Sequence, residues 1–128
     1  MKILLDTHIF LWYITGDTKL PANILNEIRK IENEVYLSAI SNWEVIIKYQ
    51  IGKLPLPKPP EVYLLEQREK HLIMSLSLDE ASVCKLSILP QIHRDPFDRM
   101  LICQAIEHDL TIATVDHIFN SYPVKIFK

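Results

Sequence analysis

Apolar residues along the chain fall into two kinds of block. Short apolar runs between turn residues fit buried strands, and stretches with apolar positions three and four apart fit helices. Lys2-Ile-Leu-Leu5 reads as a strand, and Thr7 to Ile14 continues as a helix until Gly16 and Asp17 break it. Pro21 opens a second helix to about Lys30, with Ile24, Leu25, Ile28 and Ile31 on its apolar face. Val35 to Ser38 is a second strand, and Ser41 to about Ile51 a helix with Gly52 just past its end. Four of the eight prolines crowd between Leu54 and Pro60, which predicts an extended loop. Glu61 to Lys70 is then a helix with Val62, Leu64 and Leu65 inward, and Leu72-Ile-Met74 a third strand. Ser77-Leu-Asp-Glu80 has the form of a capping box that opens another helix, and Pro90 closes that region. Pro96 starts a mostly apolar helix through Ile106, Thr111 to Thr114 is a fourth strand, and Val124 to Phe127 a fifth. Strands alternating with helices predict an α/β domain over residues 1–128. Its central parallel sheet of about five strands should be flanked by helices on both faces.

Composition narrows the chemistry. Only two glycines occur, Gly16 and Gly52, so neither a GxGxxG turn nor a P-loop can be written anywhere in the chain. The longest uninterrupted apolar run, Ile9 to Ile14, is too short to span a bilayer, and Asp6 interrupts the apolar opening. A cytoplasmic protein without membrane contact is expected. Cys84 and Cys103 lie in apolar helix-like stretches with no His or Cys at ligand spacing, which reads as two buried free thiols. A formal charge of −2 offers no whole-molecule attraction to phosphate, so any nucleic-acid contact must be local. Arg94, Arg99, Lys53 and Lys58 are the candidates for it.

Four carboxylates fall where a parallel sheet puts its ligand crevice, outside the carboxyl ends of the strands. Asp6 ends the first strand, and Asp116 follows the fourth by two residues. Glu44 lies in the first turn of the helix after the second strand, and Asp98 in the first turn of the helix before the fourth. Each has a plain structural alternative. Glu44 can close a capping box with Ser41, Asp95 can cap the helix that Pro96 opens, Asp98 can complement that helix's dipole, and Asp116 can be a turn acid. Asp6 resists such a reading, because an acid directly after Ile-Leu-Leu carries a large desolvation cost without a partner. Together on one edge, the four would repel unless they held a divalent cation, and an all-oxygen set suits Mg²⁺ or Mn²⁺. The spacing of His8, His93 and His117 matches no metal-ligand pattern, so they are expected beside the site or in solvent. Trp12 and Trp43 are expected in the core or at a subunit contact.

Met1-Lys-Ile-Leu-Leu-Asp6-Thr7-His8, Val35 to Glu44, His93-Arg-Asp-Pro-Phe-Asp98-Arg-Met-Leu and Thr114-Val-Asp116 occur in order along nearly the whole chain. Together they resemble the PIN-domain nucleases, and within them the VapC-type toxins of toxin–antitoxin pairs. The resemblance implies an endoribonuclease using one or two Mg²⁺ or Mn²⁺ ions, dimeric and neutralised by a small antitoxin, leaving 3′-hydroxyl and 5′-phosphate ends. Position by position, Asp6, Glu44, Asp98 and Asp116 match the family's acidic tetrad. Thr7 and Thr114 match hydroxyl positions beside the site, and Asp95 a position common in one subgroup. A non-catalytic module of the same fold that binds RNA or protein is the alternative. A phosphoryl-transfer protein fits less well, because His8 stands where a dehalogenase-like phosphatase needs a second aspartate.

Overall fold

A computed structural model describes residues 1–127. Five parallel strands form one sheet, β1 (Lys2–Leu5), β2 (Glu34–Ser38), β3 (Met74–Leu76), β4 (Thr111–Ala113) and β5 (Ile126–Phe127), in the order β3-β2-β1-β4-β5. Register pairs Leu4 with Tyr36 on one side and with Ile112 on the other. The helices are α1 (Thr7–Thr15), α2 (Ala22–Arg29), α3 (Ala39–Gln50), α4 (Pro60–Lys70), α5 (Glu80–Cys84) and α6 (Pro96–His108).

Alternation along the strands divides the core in two. Ile3, Leu5, Val35, Leu37 and Ala113 pack with Ile9, Phe10, Ile24, Ile28 and Leu64 of α1, α2 and α4. Leu4 and Ile112 pack on the opposite face with Leu101, Ile102 and Ala105 of α6 and with Phe119. Helices therefore cover both faces, as the sequence predicts. Chain order runs outward from β1 through β2 to β3 and then returns to the other side of β1 at β4. The reversal places the topological switch between β1 and β4, where open α/β sheets carry their ligand crevice.

Several local expectations are corrected. Helix α3 begins at Ala39 with Ser38 as its cap, the Ser38 hydroxyl accepting from the Ile40 amide at 3.0 Å, so Glu44 stands in the second turn. Ile31 lies beyond α2 and is almost fully exposed, because Lys30 already has extended backbone. On α4 only Leu64 of the three expected apolar residues is buried, while Val62 and Leu65 face outward. Leu72 adopts a left-handed conformation after α4 and is exposed, which delays β3 to Met74. Asp79, not Ser77, caps α5, accepting from the Ser82 amide at 2.9 Å. Cys103 is buried as expected, but Cys84 is exposed; both are free.

Candidate functional site

The pairing of β1 with β4 continues one residue past the end of β1, the Asp6 amide donating to the carbonyl of Ala113, the last residue of β4, at 3.0 Å. This extension fixes Asp6 beside Thr114 at the switch. Asp6 occupies the N-cap position of α1, yet its side chain makes no capping bond. Its Oδ2 instead accepts from the Thr114 hydroxyl at 2.8 Å. Thr114 Oγ1 in turn accepts from the Asp116 amide at 3.0 Å, so one hydroxyl ties two of the predicted acids together.

Glu44 reaches the same edge from α3. Its Oε1 and the Ser41 hydroxyl each lie 2.8 Å from Thr7 Oγ1. Thr7 has one hydroxyl proton and a carboxylate can only accept, so Thr7 donates to Glu44 and receives from Ser41. Glu44 Oε2 is 2.6 Å from Lys48 Nζ, one helical turn on. The Ser41–Glu44 capping box is thus replaced by a tertiary contact. Sequence reasoning missed Lys48, although its i+4 spacing from Glu44 on a helix is a usable signal.

Asp98 arrives on the first turn of α6, whose start is fixed by Pro96 and by Asp95, which accepts from the amides of Phe97 at 2.8 Å and Asp98 at 3.3 Å. His93 Nε2 is 2.8 Å from Asp98 Oδ2. The buried Tyr122 hydroxyl accepts from the His93 amide at 2.6 Å and so holds the loop that carries the imidazole. One ligand atom each from His93, Asp98 and Asp116 lie within 4.8 Å of one another. A cleft of about 380 Å³ brings Asp6, Glu44, Asp98 and Asp116 together with His8, Lys48, His93 and Asp95. All four predicted carboxylates therefore line one cleft. Among the remaining expectations, Trp12 is half-buried on the cleft wall, whereas Trp43 is mostly exposed and packs edge-on against Phe97. Arg99 lies outside the cleft, beside an apolar hollow with Trp43 and Phe97, and Lys58 is bound to Glu66 at 2.9 Å.

Asp6, Glu44 and Asp98 are 6%, 3% and 9% exposed, and carboxylates so buried are uncommon unless they are paired. Burial raises the Asp6 carboxyl above its usual range and the Glu44 charge adds to this, against the Thr114 hydrogen bond and His8. Asp98 is pushed up to about 7, chiefly by burial and then by the charge of Asp6, with His93 opposing and Asp95 and Glu44 adding. The cleft is thus short of positive charge and rich in hard oxygen donors, which is the donor chemistry that a small divalent cation requires.

The sequence profile of the PIN domain matches residues 3–125 of the chain. The chain belongs to the PIN domain family. The family resemblance read from the four motif segments is borne out. Ribonuclease VapC16 of Mycobacterium tuberculosis is 39% identical to this PIN domain over 67 residues, covering 49% of this chain and 48% of that protein. The match thus spans about half the length of that curated relative. VapBC2 from Rickettsia felis, bound to a DNA fragment from their promoter, superposes with a TM-score of 0.76 at 17% identity, covering 99% of this chain and 98% of that one. DNA-bound VapBC from Salmonella typhimurium gives 0.69 at 21% identity, covering 99% and 97%. At such identities these likenesses carry the fold, and they agree with the sheet order and the two-sided helical cover described above.

Proposed function

We propose that this PIN domain is a divalent-metal-dependent endoribonuclease, the toxin of a toxin–antitoxin pair, with residues 1–128 acting as one nuclease domain. The observation that carries the reading is the convergence of three buried carboxylates, Asp6, Glu44 and Asp98, with Asp116 at the switch between β1 and β4. The ribonuclease name of the VapC16 relative supports the choice of RNA as substrate.

Asp6, Glu44, Asp98 and Asp116 would hold Mg²⁺ or Mn²⁺, one ion or two. A bound cation supplies Lewis acidity toward a phosphate oxygen and eases deprotonation of the attacking water. The protein's own part is orientation. Thr114 turns Asp6 away from the α1 terminus, and Thr7 and Lys48 between them fix both oxygens of Glu44. Asp95 sets the first turn of α6 and hence Asp98, while His93 holds one Asp98 oxygen. These contacts fix the carboxylates on the cleft wall, so that a divalent cation entering it would meet a preset array of oxygen ligands.

An antitoxin partner and a homodimer belong to the same proposal. Both structural neighbours described above are VapBC structures, and the exposed Trp43 against Phe97 leaves an aromatic patch for a second copy. Among the described residues no helix is long and apolar enough to cross a membrane. Cytoplasmic RNA is the proposed substrate. The expected outcome with purified protein is cleavage of a mixed RNA pool in Mn²⁺ or Mg²⁺ and none in chelator. Asp6→Asn should stay folded and lose more than about a hundredfold in rate, since even groups that only orient a ligand are worth about 10- to 100-fold. Cleavage that survives chelation would overturn the reading. A stable fold that binds RNA without cutting it would favour the non-catalytic alternative, for which Lys48 already neutralises Glu44.

A further inference from the structure

The cleft shares a wall with a second cavity. His8 and Lys48 line both; the second, of about 240 Å³, is completed by Thr7, Lys53 and Leu54 with the apolar Leu11 and Val45 behind them. The chemistry changes sign across that wall. One side carries the carboxylates, while the other is lined by two lysines and a histidine with no acidic side chain.

We propose that this cavity is a binding subsite for a phosphodiester group of single-stranded RNA, adjacent along the strand to the group held in the acidic cleft. The inference rests on the nuclease reading above and adds the path of the substrate. Lys53 is placed by backbone geometry. Gly52 takes the left-handed conformation past the end of α3, its amide donates to Tyr49 O at 3.1 Å, and the Lys53 amide donates back to Lys48 O at 2.9 Å. That pattern is a Schellman closure, which folds the chain back over the last turn and puts Lys53 next to Lys48. Lys48 gives one N–H to Glu44 and has two more to offer. Lys53 has no ion pair among the described residues, whereas Lys58 on the following loop is held by Glu66. Trp12 stands on the cleft wall with its ring 6.2 Å from that of His8, giving an aromatic surface beside the cations. Cations interleaved with aromatic rings suit a single strand, whose phosphates pair with lysine while its bases stack. In a molecule of net charge −2, phosphate attraction has to be local, and this is where carboxylates give way to lysines.

The test measures binding by fluorescence anisotropy of a short labelled oligoribonucleotide in an Asp98→Asn background, across a range of salt. Lys53→Ala should weaken binding about three- to tenfold and lower the slope of log K against log salt by about 0.7, the value of one single-strand phosphate contact. Lys53→Arg should restore both, and Lys58→Ala should change neither. In the otherwise wild-type protein, Lys53→Ala should raise KM for cleavage with kcat within about twofold. Unchanged affinity and slope in Lys53→Ala, with wild type still cleaving RNA, would overturn the subsite and leave the nuclease reading intact. A wild type that neither binds nor cleaves RNA removes both. If Lys53→Ala leaves RNA binding alone but weakens binding of an acidic peptide, the cavity belongs to a protein partner and the proposal fails.

Discussion

Two buried polar clusters lie near the carboxyl edge of the sheet, and they are built on opposite principles. In the first, Ser38 donates to Gln104 Oε1 at 2.5 Å and accepts from the Ile40 amide, while Gln104 Nε2 donates to the Ser77 carbonyl at 3.2 Å. Every group is neutral, each donor named has an acceptor, and Ser38 and Gln104 are wholly buried. In the second, Asp6, Glu44 and Asp98 crowd acceptors together with too few donors, and two of the three carboxyls are driven upward as a result. The first cluster holds the fold together. The second is held in place by the fold, which spends stability on keeping like charges adjacent, a pattern expected of a site made to bind something.

The largest expected effect comes from breaking the neutral cluster. Gln104→Leu keeps the volume but leaves the buried Ser38 hydroxyl proton without an acceptor and removes the donor to the Ser77 carbonyl, so it should lower unfolding free energy by about 2 kcal/mol. Denaturant unfolding checks this, and a loss below about 0.5 kcal/mol would erase the contrast. The opposite sign is expected in the acidic cluster. The native Asp98 carboxyl titrates at about 7 and the unfolded one near 3.8, so between these values the native state holds more protons. Stability from this group is therefore complete below about pH 4 and is lost as pH rises through 7. Metal-free Asp98→Asn should accordingly exceed wild type by about 2 kcal/mol at about pH 8 and match it near about pH 3.5. Adding Mn²⁺ should reverse the order, since wild type gains about 2.7 kcal/mol at a hundredfold excess over Kd and the variant far less. Parallel pH–stability curves for the two proteins would show that Asp98 bears no such strain.

The contrast also explains which parts are legible from sequence. The sheet, the two-sided cover and α6 follow from apolar periodicity, which reports burial directly. Asp6 is legible as a candidate site residue for the same reason, because an acid abutting a buried strand is costly to keep unless it binds something. Glu44 falls on the right edge but in the wrong turn. Two serines compete to cap α3, and only tertiary packing selects Ser38 over Ser41. The tether from Tyr122 to His93 spans 29 residues and rests on a hydroxyl, which leaves no periodic trace. On α4 the apolar stripe misleads, since Val62 and Leu65 lie outside and only Leu64 reaches the core. Neutral hydrogen-bonded clusters are the hardest to foresee, as nothing in Ser38, Ser77 or Gln104 departs from ordinary surface composition.

Asp95 is the boundary case, and the smallest effect decides where it belongs. By position it lines the acidic cleft and raises Asp98. By bonding it resembles the neutral cluster, since one of its oxygens accepts from the Phe97 and Asp98 amides at the start of α6. The two descriptions separate in a pair of variants. Asp95→Ala removes cap and charge together, and Asp95→Asn removes the charge while keeping a good cap. If bonding governs, Asp95→Ala should lose about 1 kcal/mol and Asp95→Asn almost nothing, with both lowering the pH at which Asp98 titrates. If charge repulsion governs, Asp95→Ala should be no less stable than wild type at about pH 8. Unfolding of both variants at about pH 5 and pH 8 makes the distinction, because loss of a cap is the same at either pH whereas relief of repulsion appears only at the higher one.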